Sequence, residues 1–515
     1  MGLQTLWSYG SGETFFGNGF QYIGPLKHQV KTLTDGVHTL RSQATDNVQS
    51  WWSRLLPGFL QRRIRDSPTL RKILGNTSWL MFERIVNMTV RFLVGVWVIR
   101  YLGPEKYGVY SYALSFVGLF TVVTTLGLDG IVVRNLSSKK WSEGKVMGTA
   151  FALRMVAGVL TIGVVAATIF SVSDEWITQI AVLVVSVELV FKSADVFKLW
   201  FKSEIKSKYP VWVRSGVTVL YAGSQIACIL AGFSVLAFVI LVVVQTGLKV
   251  IGTYLMYRHV PEKGNPPWKF EWTTARQMMR DAWPLIFAGL SVAVYMKIDQ
   301  VMIGEMVGES AVGIYATAVK VSELWYFIPT AIAGSVFPKI VTSKENASEE
   351  VYQKRMQAFY DILALLSYVI VIPMTLVAEP LVGLVFGAEY SESGSILKVH
   401  IWAFLFVSLG AGRGKWLVTE NFTRFSMITA VVGAIVNVGL NYILIPSYAG
   451  TGAAWATLIS QVVAVFLSCL IWRRLHGVFV QMGKALFVPF RIRSVIRNNF
   501  GNELVTGSDS GDSLK

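Results

Sequence analysis

The sequence predicts an all-α polytopic membrane protein in which twelve transmembrane helices form two six-helix bundles. Three observations predict this fold class: the apolar composition, the alternation of charge between connecting segments, and an internal repeat. Hydrophobic residues make up 53% of the 515 residues and charged residues only 15%, against roughly 25% charged residues in soluble domains. With a mean hydropathy of +0.51, the chain is expected to lie mostly in lipid, where helices satisfy their own backbone polar groups.

Apolar segments of about 20 residues, the length that crosses a bilayer, recur along the chain. The predicted spans lie near 78–99, 108–131, 146–170, 176–197, 211–231, 235–257, 283–304, 313–337, 357–378, 396–418, 426–445 and 451–472. The spans from 76 to 258 form the first predicted bundle and those from 282 to 474 the second, joined by a cytoplasmic linker at 259–281.

Charge alternates between the connecting segments. Basic residues such as Arg134 and Lys139 follow the second span, whereas Asp174 and Glu175 follow the third, and this pattern continues along the chain. Because cytoplasmic connections are enriched in lysine and arginine, both termini are expected in the cytoplasm of a cell-membrane protein, inner or plasma membrane. The net charge is +16. The basic residues that produce it lie mainly in the predicted cytoplasmic connections beside the membrane, so no nucleic-acid partner is expected.

The two ends of the chain carry basic extensions. Residues 1–75 lack the apolar run and cleavage site of a signal peptide, and "WWSRLLPGFLQRRIR" at 51–65 has the composition of an interfacial helix. A poorly ordered basic leader held near anionic lipid is the alternative interpretation. Residues 475–515 are predicted to form a basic cytoplasmic tail with a disordered end.

Recognisable catalytic chemistry is not evident in the sequence. The two cysteines, Cys228 and Cys469, lie in separate apolar segments, and the five histidines show no metal-ligand spacing. Nucleotide-binding and hydrolase motifs are also missing. We therefore expect a protein that is not an enzyme and that uses neither a cofactor nor a metal centre.

An internal repeat relates the two predicted bundles. "LGPEKYGVYSYA" from 102 aligns with "VGESAVGIYATA" from 307, an offset of 205 that matches Gly103 with Gly308 and Gly108 with Gly313. Because each bundle has an even number of spans, both enter the membrane in the same sense, so the repeat is parallel about a pseudo-twofold axis along the membrane normal. That arrangement predicts a central site between bundles, with the glycines serving helix packing and not the site itself.

Three segments resemble a known family. They are "RYLGPEKYGVYSYALSFVGLFTVVTTLGLDGIVVRNLS" at 100–137, "KIDQVMIGEMVGESAVGIYATAVKVSELWYFIP" at 297–329 and "VVGAIVNVGLNYILIPSYAGTGAAWATLISQVV" at 431–463. They resemble the polysaccharide transporter (O-antigen flippase) branch of the multidrug/oligosaccharidyl-lipid/polysaccharide (MOP) exporter superfamily. The resemblance implies a MATE-like fold and a flippase that moves a polyprenyl-diphosphate-linked oligosaccharide to the outer leaflet by alternating access, coupled to H⁺ or Na⁺. Glycan polymerase and glycosyltransferases are further candidate partners.

Charged residues inside the predicted spans are the candidate site residues, because an intramembrane charge is costly unless it faces protein or water. The candidate cations that would line the cavity and attract diphosphate or acidic sugars are Arg84, Arg91, Arg154, Lys192, Lys297 and Lys320. The candidate coupling sites for a proton or sodium ion are Asp299, Glu188 and Glu83.

The alternative interpretation is that these charges form ion pairs that only hold helices together. It is favoured for Glu188 with Lys192 and applies also to Glu83 with Arg84 and to Lys320 with Glu323. For Asp299 the alternative is a structural role at the outer end of its helix. Asn437 and Asn441 are likewise interpreted as helix-packing contacts.

Other functions fit the same fold class. A drug or lipid II exporter of the superfamily is the nearest rival, because fold does not specify substrate. A membrane-embedded glycan polymerase or ligase would carry a large external loop, which this sequence lacks. A non-transporting membrane component of glycan assembly is the third alternative.

Overall fold

The computed structural model describes residues 68–139, 141–260, 266–346, 348–420 and 422–491. Every regular element among them is helical. The predicted interfacial helix at 51–65, most of the cytoplasmic extension and the end of the tail lie outside the described residues.

In the first part of the chain, α1 spans Pro68–Thr125, α2 Asp129–Ser138, α3 Glu143–Val172, α4 Trp176–Phe191, α5 Asp195–Ser203, α6 Lys208–Leu230 and α7 Val235–His259. A short 3₁₀ turn, Lys192–Ala194, joins α4 to α5. We call residues 90–259 the first half. Within it, α3 packs on α4, α4 on α7, and α6 on α7.

In the later part, α8 spans Trp272–Met306, α9 Glu309–Glu323, α10 Phe327–Asn346, α11 Glu349–Phe386, α12 Ser391–His400, α13 Ala403–Thr419, α14 Thr423–Gln461 and α15 His476–Leu486. We call residues 272–486 the second half. Here α8 packs along α14, and α11 packs on α12 and α13.

Seven helices of the described residues are long and apolar enough to cross a membrane, or eight if the pair α12 and α13, bent by 44°, counts as one span. Two of these seven contain a break. Gly103 interrupts α1 at φ 69°, and Ala449 interrupts α14 at φ 46°. Both breaks fall close to predicted turns between spans, so each of these helices contains two of the predicted spans.

Three buried hydrophobic clusters organise the described residues. The largest includes side chains of both halves, among them Ile99, Phe116, Ile303 and Tyr390. Two smaller clusters lie at the predicted cytoplasmic ends: one joins α2, α3, α5 and α7 to the start of α8, and the other joins α10, α11, α13 and α15. The two halves therefore share a core at the predicted outer side.

The segment before α8 is hydrogen-bonded to the first turns of α3. The Lys269 amide donates to the Gly144 carbonyl over 3.1 Å, and the Glu271 amide donates to the buried Thr149 hydroxyl over 3.1 Å. Lys145 Nζ lies 2.5 Å from the Glu271 carboxylate, and this hydrogen bond lowers the pKa of Glu271. The predicted linker thus ends in a defined docking contact.

Candidate functional site

A buried carboxylate lies at the centre of the second half. Asp299 of α8 is only 4% exposed. Its oxygens accept hydrogen bonds from Tyr315 Oη at 2.7 Å, Thr457 Oγ1 at 2.5 Å and Asn441 Nδ2 at 2.6 Å. Helices α8, α9 and α14 therefore converge on this acid, and all three donors are neutral.

The same cluster contains an acceptor without a donor. Among the described residues, the buried Asn441 Oδ1 has no hydrogen-bond partner, while Asn441 Nδ2 also contacts Asn437 Oδ1 at 3.2 Å. A buried polar atom without a partner costs about 1–3 kcal/mol. Carboxylate, hydroxyl and amide oxygens together are the ligand set that hard cations prefer.

A cavity of about 340 Å³ opens beside this acid. Besides Asp299 and its two donors Tyr315 and Thr457, its lining includes Tyr295, Gln300, Glu323, Tyr326, His400, Arg413 and Gln461. No three His, Cys, Asp or Glu side chains of the described residues come together as metal ligands would. Asp299 therefore borders an open space that is lined mainly by polar side chains.

Arg413 is held beside this cavity by an irregular helix end. It is 7% exposed, and its Nη1 donates to the carbonyls of Ala464 at 2.8 Å and Val465 at 3.0 Å. These carbonyls lie in a π-helical turn, Val462–Phe466, in which the wider hydrogen-bond pattern frees acceptors for a side chain. The π turn and the guanidinium thus stabilise each other.

A second cavity, of about 480 Å³, lies within the first half and is strongly basic. It includes the predicted site residues Arg91 and Lys192. Its charged lining consists of Arg91, Lys192, Lys198, Lys202, Arg214 and Lys249 with a single acid, Asp195. Arg91 Nη2 donates to Thr218 Oγ1 of α6 over 2.8 Å. The cavity therefore gathers cations from α1, the 3₁₀ turn after α4, α5, α6 and α7.

The structure forms neither of two ion pairs considered from the sequence. Glu188 accepts a hydrogen bond from Thr246 of α7 and does not pair with Lys192. Lys320 Nζ lies 5.7 Å from the centre of the Tyr107 ring and does not pair with Glu323. Packing across helices, which i, i+4 spacing does not reveal, selects these partners.

Arg154 does not line the basic cavity, contrary to its expected placement. Its side chain is 0% exposed and pairs with Asp129 at 2.6 Å. Because Asp129 begins α2, this ion pair connects α2 to α3. Arg154 is therefore a structural contact in this conformation.

Lys297 also lies outside both cavities. It sits beside Gly118 of α1 and within electrostatic range of Glu323, so it contacts both halves. Lys297 and Asp299 form no ion pair with each other, but both lie within electrostatic range of Glu323. The side chains of Glu83 and Arg84 lie outside the described residues.

Sequence reasoning missed part of the basic cavity. The predicted fourth span ends at 197, which places Lys198 and Lys202 in a connecting segment, yet α5 continues to Ser203. Arg214 lies near the start of α6 and was not singled out. The position of Arg214 one turn before Thr218 was an available signal, since i, i+4 residues share a helix face.

The chain matches a family model described as "Polysaccharide biosynthesis protein" over residues 97–395. This stretch is more than half of the 515 residues. The chain belongs to this polysaccharide biosynthesis family. The resemblance inferred from the three sequence segments is thereby confirmed.

A curated relative extends the comparison along the chain. The chain is 22% identical to the "Probable low-salt glycan biosynthesis flippase Agl15" of Haloferax volcanii over 403 residues, which cover 75% of this chain and 81% of the relative. This family member therefore aligns with a protein named as a flippase over a much longer stretch than the three segments that carry the resemblance.

Solved structures show the same fold. "Lipid II flippase MurJ, inward closed conformation" superposes with a TM-score of 0.63 at 13% identity, over 80% of this chain and 91% of that one. An inward-facing MATE family transporter of the MOP superfamily superposes with a TM-score of 0.57 at 15% identity, over 80% and 96%. This family member therefore has the fold of MOP superfamily transporters, as the sequence predicted.

Proposed function

We propose that this protein flips a lipid-linked glycan across the cell membrane by alternating access. The observation that carries the proposal is the basic cavity within a polysaccharide biosynthesis family member of flippase fold. A lipid-linked glycan carries its negative charge on the diphosphate that joins lipid to sugar, so a transporter needs cations where lipid-facing helices normally have none. The function is transport and not catalysis, in line with the flippase-named relative.

The proposed architecture is twelve spans in two six-helix bundles with both termini in the cytoplasm. The paired breaks support the repeat, because Gly103 and Gly308 occupy equivalent positions and both have positive φ, 69° and 120°. Modifying single cysteines placed at Asp174 and Lys206 with an impermeant thiol reagent tests the topology. We expect labelling from outside at the first position only, and the reverse result would contradict it.

The proposed conformation is closed at the outer side. A Cβ built on Gly108 would lie 1.8 Å from the Glu309 carbonyl, and one built on Gly313 would lie 1.9 Å from the Pro104 carbonyl. The backbones of the two repeats are therefore in direct contact at their matched glycines. Tyr112 donates to Glu305 and Tyr390 donates to the Ile99 carbonyl at 2.9 Å, which add polar contacts between the halves.

We further propose that Asp299 binds the coupling cation, a proton or Na⁺. Its burial, its neutral donors and the unpartnered Asn441 Oδ1 support this assignment. A cation bound there would neutralise a buried carboxylate that no cationic side chain of the described residues pairs with. Glu188, bound to Thr246, and Glu83 stay secondary candidates.

A transport assay in vesicles tests the main proposal. Purified protein is reconstituted with a fluorescent polyprenyl-diphosphate oligosaccharide, and the fraction accessible to an external glycosidase is measured over time. We expect protein-dependent exposure of the glycan, with protein-free vesicles and a labelled phospholipid as controls. A glycan that never becomes accessible, or efficient export of a cationic dye instead, would contradict the flippase and favour the drug-exporter alternative.

A further inference from the structure

The basic cavity forms a line of cations from the predicted cytoplasmic surface to the middle of the membrane. Lys202 lies at the end of α5. Lys249 lies ten residues before the end of α7, about 15 Å deep at the rise of an α-helix. Arg91 lies twelve residues before the break at Gly103, about 18 Å from the predicted outer turn. The line therefore leads inward from the cytoplasm.

The cations in this line form no ion pairs with acids of the described residues. The ion pairs formed by the described residues use other lysines and arginines, and Asp195 is the single acid of the lining. Arg91, Lys192 and Arg214 oppose the positive charge of Lys249, and Glu188 is the one acid in the described part of the chain that favours it. Cations therefore outnumber acids around Lys249. Such crowding is unfavourable unless an anion occupies the cavity.

The geometry suits an anion with several oxygens. The guanidinium of Arg91 is positioned by Thr218, and Arg214 lies one turn before Thr218 on the same helix face. Lys249 approaches from α7 as a point charge. Two guanidinium forks with intervening ammonium groups are the donors that bind phosphate oxygens most strongly.

We infer that this cavity, enclosed within the first half, binds the diphosphate of the lipid-linked substrate as a loading site entered from the cytoplasm. The inference rests on the proposed flippase function. Lys198 and Lys202 at the mouth attract the diphosphate, and Arg214, Lys249 and Arg91 hold it deeper. Because α1 and α4 to α7 all contribute, the site depends on one half and is present whichever way the two halves are oriented.

Binding of farnesyl diphosphate tests the site. The protein is placed in nanodiscs of zwitterionic lipid, and affinity is measured for the wild type, Lys249→Gln, Arg214→Gln and the control Arg258→Gln. Arg258 lies on the same helix as Lys249, is exposed and contacts Tyr254, outside the cavity. Loss of one charge-assisted hydrogen bond is expected to weaken binding about tenfold or more in the two cavity variants and not in the control.

Lys249→Arg tests whether the loss of affinity comes from the lost charge and not from a folding defect. It keeps the positive charge and is expected to retain most of the affinity. Elution as a single symmetric peak in size exclusion confirms that each variant is folded. Equal affinities for the wild type and both cavity variants would overturn the inference.

Competition identifies the source of the phosphate groups. Inorganic pyrophosphate is expected to displace farnesyl diphosphate, which would show that the diphosphate itself is recognised. If pyrophosphate fails to compete while nanodiscs containing phosphatidylglycerol do, the cavity is a site for anionic phospholipid and the inference is wrong.

The two proposals can fail separately. If the wild type flips the glycan and Lys249→Gln flips it equally well with unchanged diphosphate affinity, the loading site is wrong and the flippase stands. If diphosphate binding depends on the cavity but no glycan is flipped in vesicles, the binding site stands and the flippase is wrong.

Discussion

At the scale of single residues, the second half contains two buried charged-type side chains, Asp299 and Arg413, beside one cavity. Asp299 and Arg413 line the same cavity, but each is held by neutral partners: Asp299 by side-chain hydroxyl and amide donors, Arg413 by backbone carbonyls. Neither is paired with an oppositely charged side chain of the described residues. Neither arrangement is expected from helix packing alone.

Replacing Asp299 with asparagine should separate transport from its coupling ion. Asparagine has nearly the same shape but cannot change charge, so we expect glycan flipping in vesicles to fall at least about tenfold and to lose its dependence on a Na⁺ or proton gradient. Tyr315→Phe removes one donor and keeps the acid, and is expected to retain ion dependence. Unchanged ion dependence in Asp299→Asn would refute the assignment.

Replacing Arg413 with methionine should destabilise the end of α14. The substitution removes the donor to the Ala464 and Val465 carbonyls, and leaving buried acceptors unpaired costs about 1–3 kcal/mol each. We expect a lower midpoint of thermal unfolding in detergent. Lys415→Met, on the same helix, serves as the control; an equal midpoint in both variants would show that the π turn does not need Arg413.

At the scale of elements, the linker is positioned by a few polar contacts with α3. Thr149 is fully buried and accepts the Glu271 amide, while the more exposed pair of Lys145 and Glu271 adds a surface contact. Because the pKa of Glu271 is lowered, its contribution is present above the ordinary carboxyl pKa and is lost as pH falls through the lowered value. Docking of the linker is therefore expected to be complete at neutral pH.

Thr149→Val should loosen this docking. Valine has a similar shape but cannot accept the Glu271 amide, and the lost bond of about 1.4 kcal/mol corresponds to about tenfold faster hydrogen exchange of that amide. Hydrogen–deuterium exchange measured by mass spectrometry over residues 266–278 provides the test. Thr168→Val, at the other end of α3, is the control, and identical exchange in both variants would argue against the contact.

At the scale of the whole molecule, the two halves share the largest hydrophobic cluster at one end. At the other end, one cluster belongs to the second half, and the other joins the first half to the start of α8 only. A transporter that alternates between two openings must break the shared cluster to open outward. Gly108 and Gly313 lie where the backbones of the two halves approach each other, so their missing side chains permit the proposed closed state.

Gly108→Ala should favour the outward-open state, because its Cβ would overlap the Glu309 carbonyl. The readout is a cysteine at Ser115, which is buried and bonded to Gln300 in the closed state, in a chain whose Cys228 and Cys469 are changed to serine. We expect Gly108→Ala to increase labelling by an impermeant thiol reagent added outside.

The control is Gly163→Ala, since no atom lies within 4 Å of a Cβ added there. Labelling that is equally low in both variants would mean that the glycine contact does not control the outer opening.

The sequence alone was sufficient for the membrane class, the helical fold and the family, because these follow from hydropathy, charge alternation and short contiguous segments. It also identified Asp299, Arg91 and Lys192 as charges needing an explanation. Their partners could not be read from the sequence: Asp299 meets Asn441 and Thr457, 142 and 158 residues away, and Arg91 meets Thr218 across 127 residues. Only tertiary packing decides which intramembrane charge is paired, as Arg154 is, and which faces a cavity. The partners and the water around a charge are undefined until the neighbouring helices are in place.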